Sequence, residues 1–274
     1  MTGPGLDLDQ LRALRASPRD LFRLRRRIAA HLDEHEGYVA FSGGKDSLVV
    51  LHLALAASPR VPVVFFDSGL EFPETYAYLE ELSHRWQVNL SVFPAQPSAL
   101  QILATCGAWD HRRPDLPTPD LHRALITEPA ARAHTAHGPG ELWGVRAEES
   151  RGRAAAYANA LRAATCRCAS TCTAQQHRAT HGGVIERRDG TVAFGPVWDW
   201  RTPEIWGYIS RHELPLNPVY AKLRRLGAPD HFLRISGMVD ANRLEEGRIT
   251  WLRRGWPEIF DELAAVLPRL REFV

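Results

Sequence analysis

Apolar positions along the chain fall into short runs closed by Gly-rich turns, alternating with longer stretches at helical spacing. Leu21, Phe22, Ile28, Ala29 and Leu32 share roughly one face of a helix over 18–36, with Pro18 in its first turn. Tyr38-Val39-Ala40-Phe41 reads as a short buried strand closed by Ser42-Gly43-Gly44, and 48–55 as a helix. A second strand is expected at 61–66, ending in Asp67-Ser68-Gly69, then a helix at 73–86 and a third strand at 88–93. Strand, loop and helix in alternation predict parallel βαβ units, hence an α/β fold with an open, mostly parallel sheet flanked by helices. A helix over part of 119–136, a fourth strand near 141–145 and a helix at 148–163 continue the pattern. A hairpin is expected across 184–194, around Arg188-Asp189-Gly190. Beyond Pro196 the spacing turns helical, at 202–211 and over 240–271, with Gly255 and Pro257 interrupting the last stretch.

This pattern divides the 274 residues into a helical segment at 1–36, an α/β domain at 37–215 and a helical extension at 216–274. Hydrophobic residues make up 45% and charged residues 24%, as in an ordinary folded domain. No apolar run approaches the ~20 residues that span a bilayer. Residues 1–9 contain no apolar stretch of the secretory kind, so the expected location is the cytoplasm, away from membranes. The net charge of +2 neither demands nor excludes a nucleic-acid partner. Lysine occurs only at Lys45 and Lys222, every other strong base being arginine. A chain so poor in lysine that sets one in a Gly-rich turn points to a need for an ammonium there.

The turn Ser42-Gly43-Gly44-Lys45-Asp46-Ser47 is the strongest chemical signal. Glycines admit an anion close to the backbone, and the following helix aims free N–H groups and partial positive charge at it. Ser42 and Ser47 add hydroxyls, Lys45 adds a charge, and Asp46 could hold a Mg²⁺ ion. Asp46 after the lysine excludes a Walker A loop.

Ser42 to Ser47 resembles the pyrophosphate loop (PP-loop) of the ATP pyrophosphatases, the adenine-nucleotide alpha-hydrolase-like superfamily. The segment from Phe66 to Thr75, with Asp67 and Gly69, resembles the Asp-Thr-Gly-x-x-Phe-Pro-Glu-Thr stretch of phosphoadenosine phosphosulfate (PAPS) reductases. Gly144 to Ala154, with Arg146, Arg151 and Arg153, is similar to their Gly-x-Arg-x-x-x-Ser-x-x-Arg stretch. Pro196 to Trp200, 204–209 and Leu214 to Tyr220 match their later core, so the likeness runs in order over about 37–220. It implies a nucleotide site built from Ser42, Gly43, Gly44, Lys45, Asp46, Ser47, Asp67, Gly69, Gly144, Arg146, Arg151 and Arg153, with Lys45, Asp46 and Arg146 catalytic. Arginine forks suit phosphate and sulfate oxygens independently of that likeness.

Two departures shape the functional expectation. Sulfonucleotide reductases end in a Glu-Cys-Gly-Leu-His tail whose thiol attacks sulfur, whereas here Cys172 is the last cysteine. Their Leu-Lys-x-x-Pro segment matches Leu125 to Pro129, with Ile126 at the lysine position. The expectation is therefore an ATP pyrophosphatase using ATP and Mg²⁺. It would adenylate an acceptor oxygen for sulfur insertion, as in the ATP-pyrophosphatase subunit of DNA phosphorothioation systems. Its partners would be a cysteine desulfurase and DNA or another phosphate-bearing acceptor, in a homodimer or larger complex. The alternatives are thiolation of tRNA or a small molecule, and a non-catalytic nucleotide-binding subunit of a defence complex, with sulfonucleotide reduction set aside.

Cys166, Cys168 and Cys172 form a Cys-x-Cys-x₃-Cys cluster, and Cys106 lies in an earlier segment. Four thiolates are the ligand set of a [4Fe–4S] cluster, with zinc, a persulfide or unligated thiols as alternatives. The run Arg23-Leu24-Arg25-Arg26-Arg27 reads by default as a solvated helix face and alternatively as a phosphate-backbone contact. Trp198, Trp200 and Trp206 are expected in the core.

Overall fold

The computed structural model describes residues 19–106, 120–167, 173–230, 233–235 and 248–274. Helix α1 (Leu21–His35) starts at Asp20, whose carboxylate accepts the Arg23 N–H at 2.9 Å. Its basic run spreads around the helix. Arg23 and Arg26 are exposed, while Arg27 lies over the Phe194 ring at 4.6 Å and donates to the Gly182 carbonyl at 2.7 Å.

Six strands form one sheet: β1 (Tyr38–Ala40), β2 (Val63–Asp67), β3 (Leu90–Pro94), β4 (Gly140–Trp143), β5 (Val184–Glu186) and β6 (Val192–Phe194). Their spatial order is β3-β2-β1-β4-β6-β5. Every pair is parallel except the hairpin β5–β6 at one edge. Val39 pairs with Val63 on one side and Leu142 on the other. Strand order reverses around β1, and ligands of open α/β sheets bind at the carboxyl ends of strands at such a switch point.

Helices α2 (Lys45–Ala57), α3 (Pro73–Trp86), α4 (Ala99–Cys106), α5 (Glu128–His137), α6 (Arg151–Arg167), α7 (Ala174–His181) and α8 (Thr202–Arg211) accompany the sheet. After them come α9 (Pro218–Arg225), α10 (Arg248–Gly255) and α11 (Pro257–Val266). One apolar core joins α1, the sheet, α2, α3 and α8 through Ile28, Leu51, Phe65, Leu142, Phe194 and Ile205. A second joins Phe72 to the C-terminal helices through Val219, Leu223, Ile249, Phe260 and Leu263. Trp206 and Leu216 pack against both. Trp198 and Trp200 are buried and Trp206 is half-buried.

The open, mostly parallel sheet is the one expected, and three helices were not. Helix α4 and helix α7 are only eight residues each. Helix α9 begins where Asn217 accepts the Val219 N–H at 3.0 Å and Pro218 supplies the first helical residue. Helix α2 begins at Lys45, three residues before the expected start, because its first turn is polar. Of the stretch expected to be helical over 240–271, residues 240–247 lie outside the described residues. The remainder is α10 and α11, which break at Gly255 and Pro257, followed by a 3₁₀ turn at Pro268–Phe273.

Candidate active site

Strand β1 ends at Ala40, and within five residues the chain has turned into α2. Gly43 takes a φ of 74°, a left-handed value that side-chain-bearing residues rarely adopt. Gly44 then caps α2 without any side-chain hydrogen bond of its own. Ser42 Oγ and Ser47 Oγ lie 3.1 Å apart across the turn, and Ser47 Oγ also donates to the Gly44 carbonyl at 3.1 Å. The result is a tight loop at the carboxyl end of the sheet, with the two hydroxyls in contact across the N-terminus of α2.

Gly144 follows β4 immediately. A Cβ there would sit 2.6 Å from the Ser47 nitrogen and 2.9 Å from the Asp46 carbonyl carbon. The end of β4 therefore lies directly on the first turn of α2, and glycine is required for that approach rather than for ligand contact.

Asp46 lies between two cations. Its Oδ2 is 2.5 Å from Lys45 Nζ, and its Oδ1 is 2.7 Å from Arg146 Nε. The second contact is an ion pair lying off the N–H direction, not a linear hydrogen bond. Arg146 is buried, and its remaining donors reach the Trp200 carbonyl at 3.0 Å, Glu148 at 3.1 Å and Thr202 Oγ1 at 3.3 Å. The guanidinium thus fixes Asp46 and ties the 3₁₀ turn Ala147–Glu149 to the start of α8.

Asp67 ends β2. Its Oδ1 accepts the Gly69 N–H at 2.8 Å and the Tyr76 hydroxyl at 2.7 Å, so it shapes the turn that follows. Gly69 has a φ of 78°. Within that turn Glu71 accepts from Ser68 Oγ at 2.8 Å. Burial, with the charge of Asp67 adding to it, pushes the Glu71 carboxyl up to about 7. Sequence reading passed over Glu71, because an acidic residue in a turn carries no signal until its burial is known.

Arg151 and Arg153 stand apart from this centre. Both are exposed on the first turn of α6, and Arg153 pairs with Glu149. A cavity of about 640 Å³ lies between α6 and the segment 198–201, lined by Ala158, Leu161, Arg178, Trp198 and Trp200 among others. No residue of the 42–47 loop lines it. Of the proposed cluster ligands, Cys106 ends α4 and Cys166 lies near the end of α6. Cys168 and Cys172 lie outside the described residues, and with them the cluster itself. Among the described residues no helix is long and apolar enough to cross a membrane.

The phosphoadenosine phosphosulfate reductase domain matches residues 36–232. The chain is similar to the phosphoadenosine 5′-phosphosulfate reductase of Xanthomonas oryzae pv. oryzae, 28% identical over 217 residues and covering 78% of each chain. Among solved structures it is similar to PAPS reductase from Candida auris in its phosphate complex. That likeness has a TM-score of 0.49 at 18% identity, covering 83% of this chain and 94% of the other. A U34-tRNA thiolase from Methanococcus maripaludis with its [4Fe–4S] cluster aligns with a TM-score of 0.43 at 13% identity, covering 93% and 80%.

These relatives overturn the expectation of an ATP pyrophosphatase that prepares an oxygen for sulfur insertion, with DNA phosphorothioate modification as its setting and sulfonucleotide reduction set aside. That expectation rested on two departures, the tail thiol and Ile126 at the lysine position. The similarity to reductases extends over most of the chain. The chain belongs to the phosphoadenosine phosphosulfate reductase domain family, an enzyme family of the nucleotide-binding PP-loop superfamily.

Proposed function

We propose that the chain is a sulfonucleotide reductase, which takes an adenylyl sulfate nucleotide and releases sulfite. The observation that carries this reading is the loop itself: Ser42 to Ser47 turn from the end of β1 into the N-terminus of α2, which no side chain of Gly44 caps, with Ser42 and Ser47 in contact across the turn. The named relatives support the choice of nucleotide. The reaction is displacement at sulfur. A thiolate attacks the sulfate sulfur, the bond from sulfur to the phosphate oxygen breaks, and the nucleotide leaves with the electron pair. A second thiol then attacks the resulting S-sulfonate, so that a disulfide forms and sulfite departs. Sulfur gains two electrons and the two thiols lose them.

The loop's part is to hold charge. Lys45 and the α2 amides neutralise an anionic group of the nucleotide and fix its orientation toward the thiolate. Arg146 acts one step removed, by fixing Asp46 and through it the Lys45 ammonium. The thiols this chain offers for the attack are Cys106, Cys166, Cys168 and Cys172, and an external dithiol would return the enzyme to its reduced state.

The test is sulfite release from PAPS and from adenylyl sulfate by the purified chain with a dithiol reductant, repeated with each of the four Cys→Ser variants. Sulfite formation that one of these variants abolishes is the expected result. Binding of both nucleotides without any sulfite would overturn the assignment.

A further inference from the structure

Helix α2 lacks a local cap. Gly44 offers no side chain, and the first amide of the helix, Lys45 N–H, is instead taken by a residue 175 positions further along the chain. That residue is Tyr220, on α9, whose hydroxyl oxygen lies 3.0 Å from the Lys45 nitrogen. Tyr220 is almost fully buried, at 5% exposure. Its neighbour Asn217, buried as well, donates to Thr75 Oγ1 at 3.0 Å and approaches the Gly43 carbonyl at 3.5 Å. The segment from Asn217 to Tyr220 therefore grips the loop from the C-terminal side.

A phenol oxygen that accepts one hydrogen bond still has its proton to give. Among the described residues no acceptor takes the Tyr220 proton. The oxygen sits 3.6 Å from where a Gly44 Cβ would stand, Ser42 Oγ lies 3.3 Å from the same point, and the Ile235 Cδ1 methyl borders it at 3.6 Å. Two hydroxyls and one methyl group thus border the glycine, and only the hydroxyls can donate to an anion. Burial, with Asp46 adding to it, pushes the Tyr220 phenol well above its ordinary range, so the proton stays in place at any working pH.

We infer that Tyr220 is an anion-binding residue of the loop: its hydroxyl stands between the Lys45 amide and the bound anion and passes the helix N-terminus's polarity on to it. The chain of bonds would run from Lys45 N–H to the Tyr220 oxygen, and from the Tyr220 proton to an anionic oxygen of the nucleotide. Such relayed donors strengthen one another, and a donor to a charged acceptor is worth more than one to a neutral group. This inference rests on the proposed function for the identity of the nucleotide, but the loop's grip on an anion is tested separately.

The experiment is equilibrium binding of inorganic phosphate and of adenosine 3′,5′-bisphosphate to the full chain and to Tyr220→Phe, with thermal unfolding of both ligand-free proteins. Phenylalanine keeps the ring that packs near Trp206 and removes only the hydroxyl. The expected result is about tenfold weaker binding of both ligands by Tyr220→Phe, from the loss of one hydrogen bond to an ionised oxygen. Unchanged affinity with a lowered unfolding temperature would make Tyr220 a helix cap and nothing more, and would overturn the inference. Tighter binding would overturn it as well, since it would mean that the hydroxyl screens the Lys45 amide from the anion. Should the unaltered chain bind phosphate but not the bisphosphate nucleotide, the proposed function fails and the inference about Tyr220 is still decided by phosphate.

Discussion

Helices α2 and α6 both begin at the carboxyl end of the sheet, and both carry basic residues in their first turn, yet they are held by different means. Helix α2 buries Leu48, Val49, Val50, Leu51, Leu53 and Ala54, so that almost its whole circumference is packed. Such a helix cannot shift without opening the core, and its first turn is a rigid place to hold an anion. Helix α6 buries one described side chain, Tyr157, whose hydroxyl donates to the Val145 carbonyl at 2.8 Å. Its seven alanines supply helix propensity in place of packing. The lesson is that basic residues at a helix start are equivalent in sequence and unequal in structure. Lys45 is 15% exposed and held by Asp46, whereas Arg153 is 45% exposed and pairs with its own turn.

The sharpest way to break this comparison is to remove the charge from α2. Lys45→Ala should lower sulfite release by about a hundredfold or more, the scale expected for an oriented donor in a charged site. Its unfolding transition should stay near that of the parent chain, which thermal denaturation reads directly. Gly144→Ala attacks the same helix from the sheet side. Its Cβ meets α2 backbone at 2.6 Å, so a loss of about 2–3 kcal/mol in chemical denaturation is expected, together with weakened nucleotide binding.

A pH titration tests the β2 side of the site. The folded chain holds the Glu71 carboxyl up to about 7, above its ordinary range. A carboxyl raised in this way favours the fold while protonated. Its contribution is complete at pH values below the ordinary carboxylate range and is lost as pH rises through about 7. The same ionisation adds negative charge beside Asp67, so nucleotide affinity should fall between pH 6 and 8, about one unit either side of that value. Glu71→Gln should flatten both trends.

The smallest effects belong to α6. Arg151→Ala and Arg153→Ala should each change stability by less than about 0.5 kcal/mol, and nucleotide affinity by less than about threefold. A loss with Arg151→Ala comparable to that with Lys45→Ala would show that α6 closes on the nucleotide, and would erase the distinction between the two helices.

The fold was legible where burial writes a period into the chain. Strands around Val39, Phe65 and Leu142 stand as apolar runs, and the hairpin at 184–194 is marked by Gly190. Helix α2 was legible in its apolar body but not in its first turn, since Lys45-Asp46-Ser47 shows no hydrophobic spacing. Helix α9 was hidden because its start depends on Asn217 and Pro218, a cap and not a pattern. In the site, Ser42 to Ser47 and Gly144 could be read from residue types at fixed spacing. The partners that hold them could not. Tyr220 reaches Lys45 across 175 positions, and only packing of the C-terminal helices brings it there. Arg146 reads in sequence as a fork for phosphate, but the fold turns it inward, where Asp46, Glu148 and the Trp200 carbonyl take its donors. The functional expectation failed for a related reason. Two local departures, the tail thiol and Ile126, were weighed against a similarity that extends over most of the chain.

The most direct test of the account is intact mass measurement of the reduced chain after mixing with PAPS in the absence of added thiol. The account predicts a mass gain of one SO₃ group on a cysteine-containing peptide, equal release of adenosine 3′,5′-bisphosphate, and loss of the adduct as sulfite when a dithiol is added. An unmodified chain that leaves PAPS intact while converting ATP to AMP and pyrophosphate would contradict it.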